Sequence, residues 1–129
     1  DPEQHPGTYG VVGASMGGLM AMYTDLRLPR IFGRVLSQSG AFRMHEGWQD
    51  LVMDLVKAYG PQGQRIWMNI GIYDMLRLLI GNRQMRDLLI EKGFEMEYHE
   101  YPAGHNYPAW RDDIWRGLEF LFPVPKMEP

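Results

Sequence analysis

Three residues of this chain have the types and settings that acyl chemistry requires: Ser15, Asp74 and His105. Ser15 lies in Gly13-Ala14-Ser15-Met16-Gly17, after the apolar stretch Tyr9-Gly10-Val11-Val12 and before Gly18 and a helical pattern. A G-x-S-x-G between a strand and a helix makes a turn so sharp that the serine Oγ stands exposed beside backbone N–H groups. Side chains in place of Gly13 and Gly17 are expected to collide where strand meets helix. A serine hydroxyl is a poor nucleophile until a base takes its proton. Histidine suits that task, because its unperturbed pKa of about 6.5 lets it return the proton near neutral pH. A carboxylate on the other ring nitrogen fixes the tautomer and stabilises the imidazolium. The backbone N–H of Met16, at the start of the helix, is the expected oxyanion donor, with the helix dipole behind it. Each residue also has a plainer reading. Ser15 could cap a helix after a Gly-rich turn, His105 could be a surface-loop histidine, and Asp74 could shape a turn.

The elements that must position these residues alternate between strand and helix. Residues 8–14 read as a buried strand, and 17–28 as a helix stopped by Pro29. Val35 to Gln38 is a short strand leading into Ser39-Gly40. Residues 48–59 carry apolar side chains at helical spacing (48, 51, 52, 55, 56, 59) and end at Gly60-Pro61. Ile66 to Ile70 is a third strand. Asn82 is expected to cap a helix running to Lys92, with Gly93 just past its end. Glu95 to Tyr101 is a fourth strand. Pro108 fits the first position of a last helix, with an apolar stripe of Trp110, Ile114, Leu118, Leu121 and Phe122 and with Asp112 and Asp113 in its first turn. Strands spaced by helices imply an α/β fold, a parallel sheet with right-handed crossovers and helices on both faces. Chemistry in such sheets gathers at the carboxyl ends of the strands. Ser15, Asp74 and His105 follow the first, third and fourth strands.

Composition narrows the alternatives. The 129 residues are 45% hydrophobic, enough for a packed core, and include no cysteine, so a disulfide framework and thiolate metal sites are excluded. The net charge of −3 with scattered basic residues offers nothing to nucleic acid. No apolar run approaches the ~18 residues of a membrane span. No two histidines have helical metal-ligand spacing, so no metal is expected, and no cofactor is implied. The opening residues have no signal-peptide pattern, so a cytoplasmic location is the expectation. Glu100 and Asp113 are rivals for the acid, but one lies within a strand and the other is expected to face solvent. His5, His45 and His99 are not expected to act chemically, although His45 lies in a loop that could border the site. Ser37 and Ser39 lack the sharp turn. Ser39 is placed either at the pocket floor, touching substrate, or in a plain strand-end turn. Arg43 and Arg77 could serve an anionic ligand.

Several of these segments together resemble the putative esterase family, which includes enterochelin esterases, esterase D and microbial feruloyl esterases. The matching pieces are Gly13 to Gly18, Val35 to Gly40, Gly71-Ile72-Tyr73-Asp74, and Tyr101 to Tyr107 with Trp110-Arg111. The order serine, acid, histidine is that of the α/β-hydrolases. The resemblance implies a serine carboxylic-ester hydrolase closest to the enterochelin esterase branch. Ser15 would be nucleophile, His105 base and Asp74 the orienting acid, acting on a small-molecule ester through an acyl-enzyme. Acyl transfer to an alcohol other than water is the alternative, as is a catalytically idle piece kept for assembly or binding. Ala103 stands where many members have a second glycine. Family members also carry about a hundred residues before the serine turn, and these normally supply the second oxyanion donor. Residues 1–122 therefore look like the C-terminal half of an α/β-hydrolase, with 123–129 an irregular tail. In the family's strand order the strand at 8–14 is central. Here it is expected at a sheet edge, favouring self-association or binding of a complementary N-terminal half.

Overall fold

The computed structural model describes residues 1–44 and 47–126, with the side chains of 48–50 excepted. Four strands alternate with four helices in the order β1 (Gly10–Ala14), α1 (Met16–Arg27), β2 (Arg34–Gln38), α2 (Trp48–Tyr59), β3 (Arg65–Gly71), α3 (Leu76–Glu91), β4 (Glu95–Tyr101) and α4 (Tyr107–Leu121). The strands form one parallel sheet in the order β1-β2-β3-β4, as the alternation predicts. Register aligns Val12 with Leu36, Leu36 with Trp67 and Trp67 with Glu97. Because strand side chains alternate between faces, Val35, Ile66 and Met68 point one way and Leu36 and Trp67 the other.

The first face carries the larger core. Val35, Ile66 and Met68 pack with Met22 and Leu26 of α1, Val52 and Val56 of α2, and Met85 and Leu89 of α3. The second face is covered by α4, where Leu36 and Trp67 meet Leu121. The approach of α4 is close because Gly117 presents no side chain. A Cβ there would sit 2.6 Å from the Trp67 ring and 2.7 Å from Leu36.

Three local expectations are corrected by tertiary contacts. Helix α3 starts at Leu76, so Asn82 is buried within it rather than capping it. Its Nδ2 donates to the carbonyls of Gly40 (2.9 Å) and Leu78 (2.8 Å), which ties α3 to the turn after β2. Helix α4 begins one residue before Pro108. Asn106 is its N-cap, accepting the Ala109 N–H at 2.9 Å. Asp112 and Asp113 consequently lie in the second turn. The buried face of α4 is Trp110, Asp113, Gly117 and Leu121, while Leu118 and Phe122 are exposed. A charged residue and a glycine face the sheet because it presents the polar Asn69 at one level and the bulky Trp67 at another. Among the described residues no helix is long and apolar enough to cross a membrane.

Candidate active site

Ser15 occupies the single residue between β1 and α1, with φ 58° and ψ −120°. Positive φ is costly for a residue with a side chain and persists only where the surroundings impose it. Here they do. The Ser15 N–H donates to Gln38 O (2.8 Å), and its carbonyl accepts from Gly18 (3.0 Å), Leu19 (3.2 Å) and Ala41 (3.0 Å). Of the motif's glycines, Gly13 has the predicted steric role, since a Cβ there would overlap the Gly17 carbonyl. Gly17 does not: a Cβ would meet nothing within 4 Å. The second crowded position is Gly18, whose Cβ would lie 2.8 Å from Ser37 Oγ and 3.0 Å from Gly40 Cα. Close packing of α1 on the turn after β2 thus requires the last glycine, which lies outside the pentapeptide.

The acid and histidine loops are tied to each other. Gly71 closes β3, and a Cβ there would overlap the Ala103 carbonyl. That close approach lets Ile72 N–H reach Tyr101 O (2.9 Å) and Tyr73 N–H reach Ala103 O (3.0 Å). Asp74 lies in the turn so formed, buried, with its N–H on Gly71 O (3.1 Å). Its Oδ1 accepts the Met75 N–H at 2.6 Å, and its Oδ2 lies 3.0 Å from His105 Nδ1. His105 Nε2 lies 3.0 Å from Ser15 Oγ. Residues separated by 90 and 31 positions in sequence thus form one continuous chain, serine to imidazole to carboxylate. With its Nδ1–H donated to Asp74, the imidazole keeps Nε2 free to accept the Ser15 hydroxyl proton. Met16 is the first residue of α1, where an N–H has no preceding turn to bond to.

An open cavity of about 470 Å³ in front of this chain is lined by Ala14, Ser15, His105, Asn106, Tyr107 and Trp110. Neither Ser39 nor Arg43 is among its lining. Ser39 is fully buried, and its Oγ accepts the Trp110 indole N–H at 3.0 Å. Its Oγ thus accepts from protein at the turn that ends β2. Arg43 is exposed, with its Cβ packed near Gly81 of α3. Arg77 is exposed in the first turn of α3. His45 lies outside the described residues.

The rival acids are engaged elsewhere. Glu100 accepts from Arg83 at 2.9 and 2.7 Å and from the Tyr98 hydroxyl at 2.6 Å. The Arg83 hydrogen bond is the main cause that holds its carboxyl down at about 2. Asp113 is buried rather than solvent-facing. It accepts from Asn69 Nδ2 (2.8 Å) and Arg116 Nε (3.0 Å), with His99 Nε2 at 3.6 Å. His99 itself stacks on Tyr101 with ring centroids 5.6 Å apart. Among the described residues no three His, Asp or Glu side chains are grouped to hold a metal ion.

Sequence reasoning missed two contributors. Trp110 was placed in the apolar stripe of the last helix and among the segments shared with the family, with no role at the site, but its ring stands edge-on to His105 with centroids 4.9 Å apart. Gln38 donates its side-chain N–H to Trp110 O at 2.9 Å. A polar residue at the end of a largely buried strand was the available signal for Gln38.

The chain is similar to known proteins in sequence and in fold. A family model described as Putative esterase matches residues 2–121. The chain is 31% identical to the iron(III) enterobactin esterase of Dickeya dadantii, an alignment covering 86% of this chain and 28% of that protein. The crystal structure of the enterobactin esterase from Shigella flexneri with 2,3-dihydroxy-N-benzoyl-glycine superposes with a TM-score of 0.76 at 32% identity, over 87% of this chain and 31% of that one. A ferulic acid esterase shares the fold at a TM-score of 0.77 and 17% identity, over 90% of this chain and 51% of that one. The chain therefore spans between roughly a quarter and a half of the length of these relatives.

Proposed function

The chain belongs to the putative esterase family, and from that premise we propose that it acts as a serine carboxylic-ester hydrolase of the enterobactin esterase type. The observation that carries this reading is the hydrogen-bonded chain Ser15–His105–Asp74 at the carboxyl ends of three strands. Ser15 Oγ attacks the ester carbonyl carbon while His105 Nε2 takes its proton. Asp74 holds the imidazole by Nδ1 and stabilises its cation. The Met16 N–H donates to the oxyanion that forms on the carbonyl oxygen. Collapse breaks the C–O bond, and the proton on His105 passes to the departing alkoxide. Water, deprotonated by the same nitrogen, then releases the acid and restores Ser15. The net change is ester plus water to acid plus alcohol. Two relatives at about a third identity are named for enterobactin, which favours a small siderophore-type ester. Acyl transfer and an idle binding role are less favoured, since the relatives compared above are named as esterases.

A fluorophosphonate tests the assignment. Ser15 is expected to be the one serine modified, identified by peptide mass, and Ser15→Ala should abolish labelling with little change in thermal stability. Labelling that persists in Ser15→Ala would overturn the role given to Ser15.

A further inference from the structure

We propose that Trp110 is a positioning residue that sets the plane of the His105 imidazole, and that Ser39 contributes to the site by holding Trp110. This rests on the reading of His105 as the base. His105 belongs to the connection between β4 and α4, and its side chain is about a quarter exposed. Its two hydrogen bonds run through Nδ1 and Nε2. Both lie in the ring plane, and the single bond to Cβ still lets small rotations about χ1 and χ2 tilt the ring out of line with these partners. A third contact is needed to stop that motion, and the Trp110 ring supplies it. The two planes meet at 89° with centroids 4.9 Å apart, within the range of favourable edge-to-face pairs.

Trp110 can act as a stop only because it is itself immobile. It is 8% exposed. Its indole N–H donates to Ser39 Oγ at 3.0 Å, its carbonyl accepts from Gln38 Nε2 at 2.9 Å, and its backbone N–H donates to Asn106 O at 3.3 Å. Tyr107 stands edge-on to it on the solvent side at 5.2 Å. Ser39 is in turn fixed just past β2, where its N–H donates to Asn69 O at 2.8 Å and its φ is 48°. A buried indole N–H needs an acceptor, and the Ser39 hydroxyl meets that need. The contact gains importance after acylation. Esterified Ser15 has no hydroxyl proton to share, so of the imidazole's two hydrogen bonds only the one it donates to Asp74 remains, and Trp110 orients the ring for the incoming water.

The test uses the whole chain and two readouts. One is the rate of Ser15 labelling by a fluorophosphonate. The other is the protection from solvent exchange of the His105 Nδ1 proton, followed by NMR. Trp110→Leu should slow labelling about 10- to 100-fold, the scale of a misplaced reacting group, and should lose the protected proton. Trp110→Phe keeps an aromatic edge and should stay within about threefold of wild type. These comparisons are made at matched thermal midpoints, since a purely structural role would lower the midpoint and spare both readouts. If Trp110→Leu does not fold, Ser39→Gly replaces it, because glycine suits the positive φ and removes only the hydroxyl. It should slow labelling several-fold and speed exchange of the Nδ1 proton. Wild-type labelling and a protected proton in either folded variant would overturn the proposal. A wild-type chain that does not label at all would instead overturn the esterase reading, and the proton measurement would still decide the positioning role.

Discussion

His105 and His99 occupy the same end of the chain in different company. His105 bridges a hydroxyl and a buried carboxylate, whereas His99 stacks on Tyr101 beside an Asp113 already held by Asn69 and Arg116. On the esterase reading, His105→Ala should lower p-nitrophenyl ester turnover by about 10²–10⁴, the usual worth of a positioned base. His99→Ala should stay within about tenfold of wild type. Equal damage from the two would invalidate the role given to His105. A second residue-scale expectation concerns Asp25, which is fully buried in α1. Burial raises its pKa from the ordinary 3.8 to about 8, while Gln64 pulls it the other way to a smaller extent. From pH 4 to 8 the folded chain keeps a proton that the unfolded chain has lost. The contribution of Asp25 to stability should therefore be largest below pH 4 and fall as pH rises, by at most about 1.4 kcal/mol per unit, until it levels off above pH 8. Asp25→Asn should flatten that decline in urea-unfolding midpoints measured from pH 5 to 9. An equally steep decline in the variant would assign the pH dependence to other groups.

At the level of elements, the site depends on how closely three connections approach one another. Glycine does this work where a backbone carbonyl occupies the space a Cβ would take: Gly13 against Gly17 O, and Gly71 against Ala103 O. Gly71→Ala should push apart the loops carrying Asp74 and His105. A displacement of about 1 Å near a reacting group costs on the order of 100-fold in rate. Gly13→Ala should be at least as damaging, because it strikes the turn that presents Ser15. Gly17→Ala, by contrast, adds a methyl into open space on a helix, and its stability should stay within about 1 kcal/mol of wild type. Ester turnover and thermal melts of the three variants decide this. A Gly17→Ala variant as impaired as Gly71→Ala would contradict the packing described.

Across the whole molecule the two sheet edges differ. β4 carries Glu95, Glu97, His99 and Glu100, the kind of charged edge that resists pairing. β1 is Gly-Val-Val-Gly-Ala, without a charge, and its Val12 is 48% exposed. An uncharged edge strand with free N–H and C=O groups is a template for another strand. The isolated chain is therefore expected to associate through β1, either with a second copy or with a complementary segment. Sedimentation at micromolar concentration should show species larger than 15 kDa. Val12→Lys should weaken the association at least tenfold. A stable monomer at those concentrations would refute the expectation.

What the sequence by itself determined was the alternation of strands and helices, the parallel sheet, and the three residues that follow its strands. Each of these depends on local chemistry: hydrophobic period, proline and glycine punctuation, and a G-x-S-x-G turn whose strain is written in consecutive residues. Only the tertiary structure decided the rest. It buried Asp113 against Asn69, 44 positions away, and drew Asn82 into α3 to bond Gly40, 42 positions away. It made Ser39 an acceptor for Trp110, 71 positions away, and left Gly17 facing open space while Gly18 does not. Periodicity can say that a side chain is on the inner face of its own element. Which partner it meets there depends on sheet order, strand register and the depth at which a helix sits. Those are set by the packing of all the elements together.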